Sequence, residues 1–194
     1  RERKIDNIHN LKTNPYVEGL TGFECFKSNE QKLAVTGALR VPYGYSCLVS
    51  MTTGGGKSLI TQTIAYQESG LTIVIVPTVS LMMDQYKNAK EIINSDVENE
   101  IFYHHSGSSL QKFYKCLENK TAKILFISPE SLIKNKELRE KIEKANNEKY
   151  LKNLVVDEAH IIIEWGSLFR IDFQCLDTLR KNFLQSNNTL RTYL

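Results

Sequence analysis

Ser46-Cys47-Leu48-Val49-Ser50-Met51-Thr52-Thr53-Gly54-Gly55-Gly56-Lys57-Ser58 reads as a short apolar strand, a glycine turn and the first residue of a helix. Consecutive glycines let the backbone bend tightly and turn its N–H groups inward around an anion. The helix that starts at Ser58 adds its N-terminal dipole and unpaired donors. Read this way, Thr53, Gly54, Gly55 and Gly56 wrap a polyphosphate and Lys57 pairs with its β- and γ-phosphates. The Ser58 hydroxyl then ligates Mg²⁺. The strict G-x-x-x-x-G-K-[ST] pattern is not met, because Met51 stands where its first glycine belongs. A glycine turn with a surface lysine is the alternative, and a strand before the turn with a helix after it weighs against it.

Working outward, short apolar runs rich in β-branched residues recur at Ser46–Met51, Leu71–Val76, Ile124–Ile127 and Leu154–Val156. Weaker candidates are Glu100–His104 and Leu190–Leu194. Near-continuous apolarity marks strands covered on both faces, as in parallel sheets. Helices are expected over Gln31–Arg40, Ser58–Ser69, Leu81–Asn94, the charged stretch Ser131–Tyr150, and Phe173–Leu184. This alternation predicts an α/β fold, a parallel sheet sandwiched by helices. Ligands of such sheets bind beyond the carboxyl ends of the strands, so chemistry is sought just after each strand.

One strand end satisfies that expectation at once. Leu154-Val155-Val156 runs into Asp157-Glu158-Ala159-His160. Two acids at a strand end present one carboxylate to a metal ion and the next to an attacking water. Asp157 is expected to hold Mg²⁺ through its water shell, and Glu158 to orient or deprotonate the water that attacks the γ-phosphate. Alone, the tetrad also fits a solvated acidic turn. Its pairing with the Gly-Gly-Gly-Lys-Ser loop favours ATP chemistry.

The tetrad continues into Ile161-Ile162-Ile163-Glu164-Trp165-Gly166-Ser167-Leu168-Phe169-Arg170. Here the chain resembles a superfamily 2 helicase, and more narrowly a RecQ-like DNA helicase. Such proteins carry an aromatic-rich loop with Trp-Gly and Phe-Arg at this spacing. The resemblance implies that Trp165, Phe169 and Arg170 contact single-stranded DNA and couple it to hydrolysis. Stacking of bases on exposed aromatics suits that role; on spacing alone, Trp165 and Phe169 read better as core residues of a helix, and only the resemblance reverses this. Val76-Pro77-Thr78-Val79-Ser80-Leu81-Met82-Met83-Asp84-Gln85 and Ile127-Ser128-Pro129-Glu130-Ser131-Leu132 resemble two further motifs of the family. They imply DNA-backbone contacts by Thr78, Ser80 and Ser128, each of which also reads as a helix cap. Gly22-Phe23-Glu24-Cys25-Phe26-Lys27 resembles the stretch that holds adenine, which places Phe23, Lys27, Gln31 and the tetrad's His160 near the nucleotide. Gln31 lies five residues after Phe26, one more than the family pattern, and Ser28-x-x-Gln31 is also a capping box.

The resemblance covers Leu20 to Leu179 and implies a RecA-like, P-loop NTPase fold. It further implies ATP and Mg²⁺ as cofactors, and single-stranded or branched DNA as partner with 3′-to-5′ polarity. A second RecA-like domain supplying an arginine finger is also implied, so these residues alone are expected to hydrolyse ATP poorly. Thr52 replaces a usual proline, Glu164 a glutamine, and Ser167-Leu168 a His-Asp pair. The last change removes polar groups expected at the DNA or ATP. A nucleotide-gated DNA-binding or scaffold subunit of a larger nuclease or defence complex is the alternative function.

Composition sets the remaining bounds. The chain has 194 residues, enough for one core, and a net charge of +3 that decides nothing about partners. Residues 1–19 read as a lead-in and residues 20–194 as the ATP-binding domain, cut off after the strand that ends at Leu194. Cys25, Cys47, Cys116 and Cys175 lack paired spacing and are expected to be reduced and mostly buried. His104-His105 is expected as a solvated turn. No leader or bilayer-length apolar run is apparent, which suits a cytoplasmic or nuclear protein without a membrane partner.

Overall fold

A computed structural model describes residues 11–52, 54–93, 99–105, 107–159 and 166–194, with side chains of the last segment from residue 175 onward. Six strands form one sheet: β1 (Ser46–Cys47), β2 (Leu71–Ile75), β3 (Ile101–His104), β4 (Ile124–Ile127), β5 (Leu151–Val156) and β6 (Arg191–Tyr193). Their order is β1-β6-β5-β2-β4-β3, and every pairing is parallel. The α/β expectation therefore holds, with the two weaker strand candidates included.

Helices α1 (Pro15–Thr21), α2 (Asn29–Leu39), α3 (Ser58–Tyr66) and α4 (Val79–Ile92) precede β3. Helices α5 (Gln111–Glu118), α6 (Pro129–Lys134), α7 (Lys136–Asn147) and α8 (Gly166–Ser186) follow it. Alternation along each strand sends side chains to opposite faces. Val74, Ile124, Phe126 and Val155 pack with Val17, Val35, Ile64 and Met82 of the early helices. Ile73, Leu125, Ile127 and Leu154 pack with Phe113, Leu132, Ile142 and Phe183 of the late ones. The chain thus runs outward through β1, β2 and β3 with helices on one face, then returns through β4, β5 and β6 with helices on the other. The connection after β1 and the one after β5 leave toward opposite faces, which opens a crevice at the carboxyl ends of those strands.

Several expectations change. Ser131–Tyr150 is two helices, because Asn135 takes an extended backbone and its side chain accepts a hydrogen bond from the Leu138 N–H, starting α7 afresh. Helices α1 and α5 were not foreseen. α1 crosses the boundary drawn at Leu20: Val17 is fully buried, and the Tyr16 hydroxyl donates to the Thr63 carbonyl, so the packed unit begins before the assigned domain. All four cysteines are free as expected, but Cys25 and Cys175 are exposed and only Cys116 is buried. His104 is buried at the end of β3 with its Nδ1 2.9 Å from the Ser108 hydroxyl, and burial holds its imidazole below the usual range. The solvated-turn reading fails there.

Candidate nucleotide site and nucleic-acid face

β1 is short, but its ladder with β6 runs on before the loop begins: the Leu194 N–H donates to the Cys47 carbonyl at 2.9 Å and the Val49 N–H to the Leu194 carbonyl at 2.8 Å. Gly54 and Gly56 take φ of +79° and +85°, the left-handed region that favours glycine. Gly55 is held by a turn in which its N–H donates to the Thr52 carbonyl at 3.0 Å. A Cβ at Gly55 would lie 2.9 Å from that carbonyl oxygen, and 3.3 Å from the Met51 methyl carbon. Met51 thus replaces the expected glycine by folding its side chain beneath the loop, where it packs on the core. α3 starts with no side-chain cap, whereas α2, α4, α6 and α7 are each capped by a side chain. A glycine cradle in front of an uncapped helix start suits the phosphates of a nucleotide.

Gln31 closes the loop from behind. Its amide donates to the Gly56 carbonyl at 3.2 Å, while its side-chain oxygen accepts from the Lys27 N–H at 2.8 Å. Its own N–H donates to the Ser28 hydroxyl at 3.1 Å. The capping box exists, with Lys27 in place of Ser28 as the reciprocal donor. The same side chain, only 3% exposed, ties α2 to the phosphate loop. Phe23 is 40% exposed just beyond the Gly22 cap of α1, and the Lys27 side chain is exposed.

The acidic pair is delivered by β5. Asp157 donates its N–H to the Ile75 carbonyl at 2.9 Å, extending the sheet by one bond past Val156. Glu158 then turns into the left-handed region at φ +51°, a conformation that costs energy in a non-glycine residue and tends to accompany functional sites. That turn aims its carboxylate at the loop: Glu158 Oε1 lies 3.5 Å from Lys57 Nζ. Burial pushes the Asp157 carboxyl above its ordinary range, and the amide of Gln85 and the charge of Lys57 pull it partly back. The Gln85 amide donates to Asp157 Oδ2. In the sequence, the signal for Gln85 is its spacing with Met82 and Ala89 on the inward face of α4.

Thr78 and Ser128 sit past the ends of the adjacent strands β2 and β4, whose last residues pair as Ile75 with Ile127. Both are caps: Thr78 accepts from the Leu81 N–H and Ser128 from the Ser131 N–H, each at 3.3 Å. Ser80 is exposed in the first turn of α4. Thr53, His160 and Trp165 lie outside the described residues. Phe169 and Arg170 fall in α8, which begins at Gly166, so this part of the expected loop is helical backbone. Among the described residues no His, Cys, Asp and Glu group has the makings of a metal cage, and no helix is long and apolar enough to cross a membrane.

Comparison with known proteins agrees with this geometry. Residues 28–190 match the DEAD/DEAH box helicase family. The chain is 33% identical over 165 residues to ATP-dependent DNA helicase Q-like 2 of Arabidopsis thaliana, covering 84% of this chain and 22% of that protein. It is 34% identical over 140 residues to ATP-dependent DNA helicase Q1 of Rattus norvegicus, covering 69% and 21%. The chain therefore spans about a fifth of these relatives. Among solved structures it resembles the DUF1998 helicase MrfA bound to DNA, with TM-score 0.65 and 17% identity over 93% of this chain and 26% of that one. The Hef helicase domain of Pyrococcus furiosus follows at TM-score 0.59 and 18% identity, covering 84% and 31%.

Proposed function

Since this chain belongs to the DEAD/DEAH box helicase family, we propose that it is the ATP-binding motor domain of a RecQ-like, ATP-dependent DNA helicase. The observation that carries this reading is the 3.5 Å approach of Lys57 to Glu158, which joins the phosphate loop after β1 to the acidic pair after β5. An ATP triphosphate would lie along the loop with its γ-phosphate reaching Lys57. Gly54, Gly55, Gly56 and Thr53 cradle it, Lys57 neutralises its β- and γ-oxygens, and Phe23, Lys27, Gln31 and His160 hold the base side.

Ser58 and Asp157 would hold a magnesium ion, Asp157 through its water shell, and the ion would supply positive charge to the phosphate oxygens. Glu158 then orients the attacking water and accepts its proton. Lys57 is partnered by Glu158. A γ-phosphate that takes over Lys57 releases the glutamate for the water, so substrate binding arms the base. On the same sheet edge, Thr78, Ser80 and Ser128 form a row of short donors for a DNA backbone, single-stranded or branched and tracked 3′ to 5′. Trp165, Phe169 and Arg170 report DNA to the ATP site. A second RecA-like domain completes the transition-state charge.

The test uses the intact protein. Glu158→Gln should bind ATP with unchanged affinity and lose DNA-stimulated hydrolysis. Stimulation that survives in the variant would remove Glu158 from the chemistry. A parent protein that binds ATP but shows no DNA-stimulated hydrolysis would favour the nucleotide-gated subunit.

A further inference from the structure

α4 connects the proposed DNA edge to the proposed nucleotide site by two polar side chains on one face. Gln85, half-buried, donates its amide to Asp157 Oδ2 across 72 residues of sequence. One turn on, Asn88 accepts from the Gln62 amide at 3.2 Å. Gln62 is 2% exposed on α3, one turn after Ser58. The start of the same helix carries Thr78 and exposed Ser80.

We propose that Gln85 is a positioning residue for Asp157: its amide fixes one carboxylate oxygen so that the other faces the magnesium position, making the seat of α4 a determinant of metal binding. A carboxylate at a strand end turns about its last side-chain bond, and a single donor on one oxygen selects one orientation. Outer partners of metal ligands act in this manner, and their loss costs about 10–100-fold in metal affinity. The proposal rests on the reading of Asp157 as the magnesium-binding acid. Because Gln85 belongs to the helix whose first turn carries Thr78 and Ser80, a displacement of α4 by bound DNA would be felt at Asp157 directly.

The experiment titrates Mg²⁺ against binding of a fluorescent ATP analogue to the intact protein, with melting curves for each variant. Gln85→Met, similar in length and a good helix former, should raise the Mg²⁺ midpoint about tenfold while metal-free nucleotide binding stays unchanged. Gln85→Ala, which only truncates, should give the same shift. Asp157→Asn should raise the midpoint at least as far, and Gln85→Met added to it should change nothing more. Asn88→Leu, which breaks the neighbouring α3–α4 bond, should leave the midpoint in place. A normal midpoint in both Gln85 variants overturns the proposal. So does an additive effect in the double variant, or an equal shift in Asn88→Leu. A normal midpoint in Asp157→Asn instead overturns the magnesium reading of Asp157, and the proposal with it.

Discussion

Lys57 and Asp157 are each held by a contact that their neighbours in sequence do not supply. Lys57 answers Glu158 across the one intervening strand, β6, and Asp157 answers Gln85. Lys57→Ala should therefore remove most ATP affinity, since the loop loses its flexible cation. Isothermal titration of the intact protein checks this, and unchanged affinity would contradict the phosphate-loop assignment. Asp157 gives a prediction of opposite sign for stability. Burial raises its folded-state pKa above the unfolded value, so its ionised form costs stability at neutral pH. That cost fades as pH falls through the folded pKa toward the unfolded one. Asp157→Asn, which can still accept from Gln85, should melt higher than the parent at pH 7, with the gap closing in acid. The same variant should weaken Mg²⁺-dependent nucleotide binding, so stability and function part company at this position.

Element boundaries follow from single polar residues. Asn135 separates α6 from α7 by ending one helix in extended backbone and capping the next. Asn135→Ala should cost about 0.5–2 kcal/mol, the usual worth of an N-cap, read by chemical denaturation. The phosphate loop depends on Gly56 for two reasons. Its φ of +85° disfavours any other residue, and a Cβ there would lie 2.1 Å from the Gln31 amide nitrogen. Gly56→Ala should cost about 1–2 kcal/mol for the backbone alone, and should also free Gln31 from the loop, so ATP binding and melting temperature fall together. The charged pattern over residues 131–150 hid the break at Asn135. An asparagine inside a helical run reads as a weak helix former until the chain is seen to turn there.

For the whole molecule, the sheet is sealed on both faces, and its late layer is closed by buried asparagines. Asn187 donates to the Leu151 carbonyl at 2.8 Å and to Asn146 at 3.1 Å, and accepts from the N–H and hydroxyl of Thr189. Asn146 in turn donates to the Phe183 carbonyl and the Ser186 hydroxyl. This cluster joins α7, β5 and the end of α8 to the approach to β6. Asn187→Leu strands several buried groups at about 1–3 kcal/mol each. It should lower stability well beyond a surface change, which urea unfolding would register. Melting and DNA-stimulated ATPase together test Trp165 at the same scale. Trp165→Ala in the intact protein should melt normally and respond weakly to single-stranded DNA, whereas a core tryptophan would cost about 3–5 kcal/mol on truncation.

The sequence by itself determined the parallel α/β sandwich, the glycine loop before α3 and the acidic strand end. Those rest on local facts: strands buried on both faces must be apolar throughout, and a phosphate turn needs glycines before a helix. Tertiary structure alone decided that Glu158 meets Lys57, that Gln31 braces Gly56, and that Gln85 reaches Asp157. It also decided that residues 15–21 belong to the packed unit through Val17 and Tyr16. Each of these is a contact between residues 25 or more positions apart, or the packing of a short, locally capped helix onto the surface it covers. Strand order determines such contacts, and strand order emerges from how all the layers close on one core.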